Sequence, residues 1–272
     1  MNSMINHKEV EVTNGSIKYL LLPLLCLMTF CSSCVGVNKI GVFKMHPSPN
    51  FNERKYPISM IILHYTVIPT CEESLIRLSE TTNVAGKVSA HYLVDRDGSI
   101  YNLVDESKRA WHAGLGSWTG LNDINSRSIG IEIVNVGLTE DGKREQFPAA
   151  QIDAVIKLCK DIQSRHTIKH VLGHSDVAPA RKQDPGEAFP WKALADAGVG
   201  IWTDAFMDSD DDLLKVLSEI GYDTTVPEKA VVAFQRHFYP AGLMAEDGLT
   251  KRRAVAVREL MYRRDNLQCD KP

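Results

Sequence analysis

The chain carries no surplus of basic residues, no internal repeat, no long low-complexity tract and no disulfide framework. Lys and Arg total 31 against 34 Asp and Glu, a formal charge of −3. Gripping a phosphate backbone needs a cationic footprint, so nucleic acid is excluded as an expected partner. The apolar block from Tyr19 to Phe30, YLLLPLLCLMTF, falls well short of the roughly 20 residues that a transmembrane helix requires. Past Cys34 only Cys71, Cys159 and Cys269 remain, odd in number and far apart, which rules out a pattern of paired bridges or a thiolate metal cluster among them. Cys159 keeps helical register with Ile152, Val155 and Ile156 and is expected to be a packed core thiol.

What the first 34 residues do hold fits an export signal. A weakly basic stretch with Lys8 and Lys18 precedes the apolar block, and the small residues Ser32 and Ser33 lead to Cys34. That ending resembles a lipoprotein processing site, with Cys34 the acylated first residue of the mature chain. Cys31 stands where the lipoprotein pattern prefers Leu, so simple cleavage is the alternative, and an uncleaved membrane-skimming helix is the plainer one. Val35 replaces the aspartate that tends to retain lipoproteins at the inner membrane. The expected address is therefore the periplasm, on the outer membrane, with membrane contact only through the lipid anchor.

With 272 residues there is room for one medium domain and a smaller one. Residues 35–49 are polar, contain Pro47 and Pro49, and are expected to be a linker. At Ser59 the sequence turns to SMIILHYT, a continuous apolar run expected to be a strand buried on both faces. A helix is expected near 72–82. In SAHYLVDRDGSIYNLV, β-branched and aromatic runs flank Arg96-Asp97-Gly98, a hairpin signal. After the irregular stretch AWHAGLGSWTGLNDINSRS come a second buried strand, SIGIEIVNVG, a helix after Pro148, and a short strand in HVLGH. A loop of that length inside a compact domain is usually functional. Strands alternating with helices predict an α/β domain over 50–202. DSDDDLLKVLSEIGYD, PEKAVVAFQRHFY and TKRRAVAVRELMYR predict a small three-helix unit over 203–272, which alone would be only marginally stable.

The chemistry concentrates at strand ends. His64 stands at the exit of one buried strand, His174 closes another, and Asp184 follows in a loop stiffened by Pro179 and Pro185. Two imidazoles and a carboxylate suffice to hold a catalytic zinc that keeps its fourth position for water. Spacing alone leaves a plainer alternative open: two packed histidines and a turn-capping aspartate.

Five strings taken in order, IILHYT, SAHYLVDRDGSIY, AWHAG, SIGIEI and GHSDVAPARKQDPG, resemble the zinc N-acetylmuramoyl-L-alanine amidases of the amidase-2 class, close relatives of the peptidoglycan recognition proteins. The likeness spans Asn50 to Trp191. It implies a mixed central sheet flanked by helices, with peptidoglycan or muropeptides as substrate and Zn2+ held by His64, His174 and Asp184. It also implies that Glu132 is the catalytic acid and base, and that Lys182 faces the oxyanion, with Arg181 the lesser candidate. A carboxylate inside IGIEIV has no structural reason to be there unless it points to solvent. Trp111 and His112 are expected to wall a substrate groove, and Trp118 and Asn122 to contact sugar or peptide, ordinary loop packing being the alternative for the last two. His91 is expected to be structural.

LLKVLSEIGYD, AVVAFQRHFY and DGLTKRRAVAVREL resemble the halves of a peptidoglycan-binding domain, although DTTVPE replaces the usual DGxFG turn in the first. A stabilising helical appendage is the alternative. A monomer is expected. The competing functions are a recognition module that binds wall fragments without cutting them, and a glycosidase. The full set of ligands with Glu132 favours catalysis over the first. The second lacks a partner acid near Glu132.

Overall fold

The computed structural model describes residues 43–84, 86–245 and 248–269. The export signal, Cys34 and the start of the linker lie outside the described residues. In chain order the elements are β1 (Lys44–Met45), β2 (Phe51–Glu53), β3 (Met60–Tyr65), α1 (Cys71–Ser79), β4 (Tyr92–Val94), β5 (Ile100–Asn102), β6 (Lys108–Ala110), α2 (Ile124–Arg127), β7 (Ser128–Ile133), α3 (Ala149–Arg165), β8 (His170–Gly173), α4 (His174–Val177), α5 (Trp191–Asp196), α6 (Leu213–Ile220), α7 (Pro227–Phe238) and α8 (Leu249–Cys269).

The main sheet runs β1-β5-β4-β7-β3-β8, and β2 pairs with β6 in a second, two-stranded sheet. Strand β3 is flanked in parallel by β7 and β8. The expected hairpin is the antiparallel pair β4 and β5, which makes the sheet mixed.

Side chains alternate across each strand, and this decides what each face packs against. From β3, Ile61 and Leu63 join Ile129, Ile131 and Ile133 of β7 against Val155, Leu158, Cys159 and Ile162 of α3. Met60 and Ile62 point the other way, into a cluster with Val216, Leu217 and Ile220 of α6, Phe234 of α7 and Val257 of α8. Helix α1 covers the rest of that second face through Leu75 and Leu78 against Leu93 and Val134. Each fully buried Ile or Leu contributes about 1.5–3 kcal/mol of transfer free energy. The helices beyond residue 203 therefore complete the sheet's core, and the described residues form one compact unit.

The same alternation positions the site. Because Ile129, Ile131 and Ile133 face α3, Ser128, Gly130 and Glu132 face the opposite side. His64 is paired in register with Glu132, so the two side chains emerge next to each other on the face that also carries Met60 and Ile62.

Candidate metal centre and active site

His64 leaves the end of β3, His174 opens α4 directly after β8, and Asp184 returns in the following loop through a cis bond to Pro185. Three atoms converge. His64 Nδ1 is 3.0 Å from His174 Nδ1 and 3.0 Å from Asp184 Oδ2, and His174 Nδ1 is 3.1 Å from Asp184 Oδ2. All three residues are buried, and they form a group able to hold a metal ion.

The far side of each ring fixes its tautomer. His174 Nε2 lies 2.8 Å from the Ala113 carbonyl, which can only accept, so Nε2 carries the proton and Nδ1 a lone pair. His64 is set by a longer chain. Ser128 Oγ donates to the Ile124 carbonyl and therefore accepts from His112 Nε2 at 3.3 Å. His112 Nδ1 then accepts from His64 Nε2 at 3.0 Å, which leaves His64 Nδ1 bare. Both rings are neutral: burial, then the neighbouring His174, lowers His64 to about 4, and burial, then His64, lowers His112 well below the imidazole range. Two lone pairs and a carboxylate oxygen facing one another are the donor set of a divalent cation.

Glu132 lies beside this group. Burial and the charge of Asp184 push it up to about 8, while Lys182 and Arg77 act in the opposite direction. Its Oε2 is buried without a hydrogen-bond partner among the described residues, an uncommon state that marks a candidate functional group. The side chain lines a cleft of about 380 Å³ with Thr66, Val67, Ile68, Ser74 and Arg77. In that wall Val67 adopts φ +57°, a left-handed conformation that a β-branched residue avoids. Lys182 is half-buried on the loop between His174 and Asp184. Arg181 instead donates to the carbonyls of Ala113 and Leu115, so its guanidinium clamps the loop and does not enter the cleft.

The remaining expected site residues separate. Asn122 is exposed and lines a cleft of about 540 Å³ with Gly114, Arg181, Asp223 and Val226. Trp111 is half-buried, and its Nε1 donates to Asn52 Oδ1 at 2.8 Å. Two expectations need correction. His112 is no groove wall: it lies beneath His64, its ring so close to β7 that a Cβ on Gly130 would come within 2.4 Å of it. Trp118 is only 1 % exposed and packs edge-on against Tyr222 at 5.0 Å, because the helices beyond residue 203 cover it. His91 is structural as expected: its Nδ1 accepts from the Gly130 amide at 2.9 Å and its carbonyl from Leu103.

Sequence reasoning missed Arg54. Its guanidinium donates to five carbonyls, those of Glu106, Lys108, Asn125, Ser126 and Ser128, and so ties the long loop to the start of β7. No periodicity or motif singles out a lone arginine ahead of a strand.

The model of a family described as N-acetylmuramoyl-L-alanine amidase matches residues 54–187. The chain is 37 % identical over 218 residues to the N-acetylmuramoyl-L-alanine amidase AmiD of Escherichia coli K12, covering 68 % of this chain and 76 % of that protein. A solved structure of E. coli AmiD in complex with anhydro-N-acetylmuramic acid-L-Ala-D-gamma-Glu-L-Lys superposes with TM-score 0.66 at 34 % identity, covering 77 % of this chain and 91 % of that one. The structure of AmpDh3 from Pseudomonas aeruginosa gives TM-score 0.66 at 33 % identity, with 75 % and 92 % covered.

Proposed function

The chain belongs to the N-acetylmuramoyl-L-alanine amidase family, and on that premise we propose that His64, His174 and Asp184 hold a zinc ion beside Glu132 and Lys182, which carry out the hydrolysis. The enzyme is a peptidoglycan hydrolase that cuts the amide between N-acetylmuramic acid and the L-alanine of the stem peptide. The observation that carries the zinc reading is the convergence of three proton-free donors at 3.0–3.1 Å from one another. Donors about 2.0–2.1 Å from a tetrahedral zinc stand roughly 3.3 Å apart, close to that spacing.

An amide is a poor electrophile with a poor leaving group. When bound, zinc supplies Lewis-acid polarisation and lowers the pKa of water toward about 7. Glu132 Oε2 takes a proton from the attacking water as the new C–O bond forms, then delivers it to the alanine nitrogen as the C–N bond breaks. The position of Glu132 supports this role: it is in register with His64, and its Oε2 has no hydrogen-bond partner among the described residues, so the atom is free to take and return a proton. Lys182 Nζ faces the carbonyl oxygen as it gains negative charge, and its influence on Glu132 and His64 supports that placement. Trp111 and Asn122 contact the muropeptide from the long loop.

The enzyme acts as a monomer at the cell wall from the periplasm, tethered to the outer membrane through acylated Cys34. Residues 203–272 form a peptidoglycan-binding-like unit beside the catalytic domain at 50–202. The test is product analysis on muropeptides. Zinc-loaded protein releases peptides bearing a new free alanine amine, and chelation stops the release. Intact substrate after incubation with zinc-loaded protein overturns the reading.

A further inference from the structure

We infer that Tyr222 and His237, from the C-terminal helical unit, are positioning residues for the metal centre, acting through Asp176. This rests on the reading that His174 and Asp184 hold the ion. Asp176 lies two residues after His174 and is 0 % exposed. Its Oδ2 accepts the Gly173 amide at 2.7 Å and a proton from His237 Nδ1 at 2.7 Å, and its Oδ1 accepts the Tyr222 hydroxyl at 2.7 Å. Two of the three partners of a buried carboxylate therefore come from beyond residue 203. Both also lie outside the stretch 54–187 that matches the family model.

The contact reaches both loop ligands. Gly173 is the residue whose amide Asp176 caps, and it precedes His174. The Ser175 amide donates to the Asp184 carbonyl at 2.9 Å, which ties the other ligand to the same turn. A carboxylate stripped of His237 and Tyr222 would be buried with one donor, and the turn would have to open to hydrate it. Opening the turn moves His174 and Asp184 together.

The two partners are themselves held. His237 stacks between Trp191, at 3.7 Å between ring centroids, and Phe238 at 3.8 Å. Tyr222 packs against Trp118. The loop tryptophan, the helical unit and the metal loop thus form one connected support.

The test uses the full chain, with His237→Leu, His237→Asn and Tyr222→Phe read by amide hydrogen exchange over residues 173–184 in metal-free protein and by zinc affinity in competition with a chelator. His237→Leu and Tyr222→Phe are expected to speed exchange across 173–184 and to weaken zinc binding about tenfold or more. His237→Asn keeps a donor near the Nδ1 position and is expected to restore both. Gln235→Ala serves as the control: Gln235 donates to Ala245 and Thr250 within the helical unit and does not touch Asp176, so it is expected to lower melting temperature and leave both readouts unchanged. Exchange and zinc affinity at wild-type values in both His237→Leu and Tyr222→Phe would overturn the inference. A wild-type chain that takes up no zinc would instead remove the metal reading, with the exchange data still deciding the role of Asp176.

Discussion

His64 Nε2 and His112 Nδ1 lie 3.0 Å apart, and that hydrogen bond turns the other nitrogen of His64 toward His174 and Asp184. The acceptor is itself oriented by Ser128, whose hydroxyl is committed to the Ile124 carbonyl. A ligand ring in this arrangement has its tautomer set before any ion arrives.

Replacing His112 with Ala should therefore weaken zinc binding by about 10- to 100-fold, the usual effect of removing the partner that orients a ligand. The measurement is competition against a chelator of known affinity. Gly130→Ala should act in the same direction, because its Cβ would fall 2.4 Å from the His112 ring, and should cost about 1–3 kcal/mol in a denaturant melt.

Glu132→Gln removes the proton carrier and leaves the metal donors untouched. Turnover of muropeptide is expected to fall by about 10² to 10⁴ with zinc affinity retained. Lys182→Met is expected to lower kcat by about 10² or more without changing melting temperature.

The pH dependence of the metal-free protein follows from the same glutamate. Its folded pKa is raised to about 8, above the roughly 4.3 of an unfolded chain, so the folded state favours the protonated form. The associated stability is fully present below about 4.3 and is lost as pH rises through 8. Metal-free Glu132→Gln should be more stable than wild type at pH 9, and the gap should shrink toward pH 5. Thermal melts at the two pH values check this.

Long, strongly periodic segments were legible in the sequence. The run at 60–65, the hairpin around Asp97-Gly98 and the helix after Pro148 each carry their period in their own residues. Helices α2, α4 and α5, of four to six residues, were not legible, because so short a helix is held by its surroundings more than by its own propensity. The candidate ligands His64, His174 and Asp184 could be picked out, because strand ends and a Pro-stiffened loop make them candidates and the resemblance to the amidase-2 class implies their role. The support beneath them could not: whether Trp118 meets substrate or Tyr222 depends on where helices a hundred residues later come to rest. Arg54 was invisible for a related reason, since all five of its carbonyl partners lie more than 50 residues away.

Arg54→Met should accordingly destabilise the protein by roughly 3 kcal/mol or more, because several buried carbonyls lose their donor at once. Trp118→Ala should cost about 3–5 kcal/mol as a core truncation. If Trp118 instead met substrate, its replacement would raise KM with little change in a denaturant melt.

The most direct measurement is a calorimetric titration of zinc into metal-free wild-type protein and into the His174→Ala variant, with peptide release from a muropeptide followed in parallel. The expected result is one tight site per wild-type chain, peptide release that returns in step with its filling, and loss of both in the variant. Zinc binding of equal strength in the variant, or peptide release from wild-type protein stripped of metal, would contradict the assignment of the hydrolytic centre to His64, His174 and Asp184.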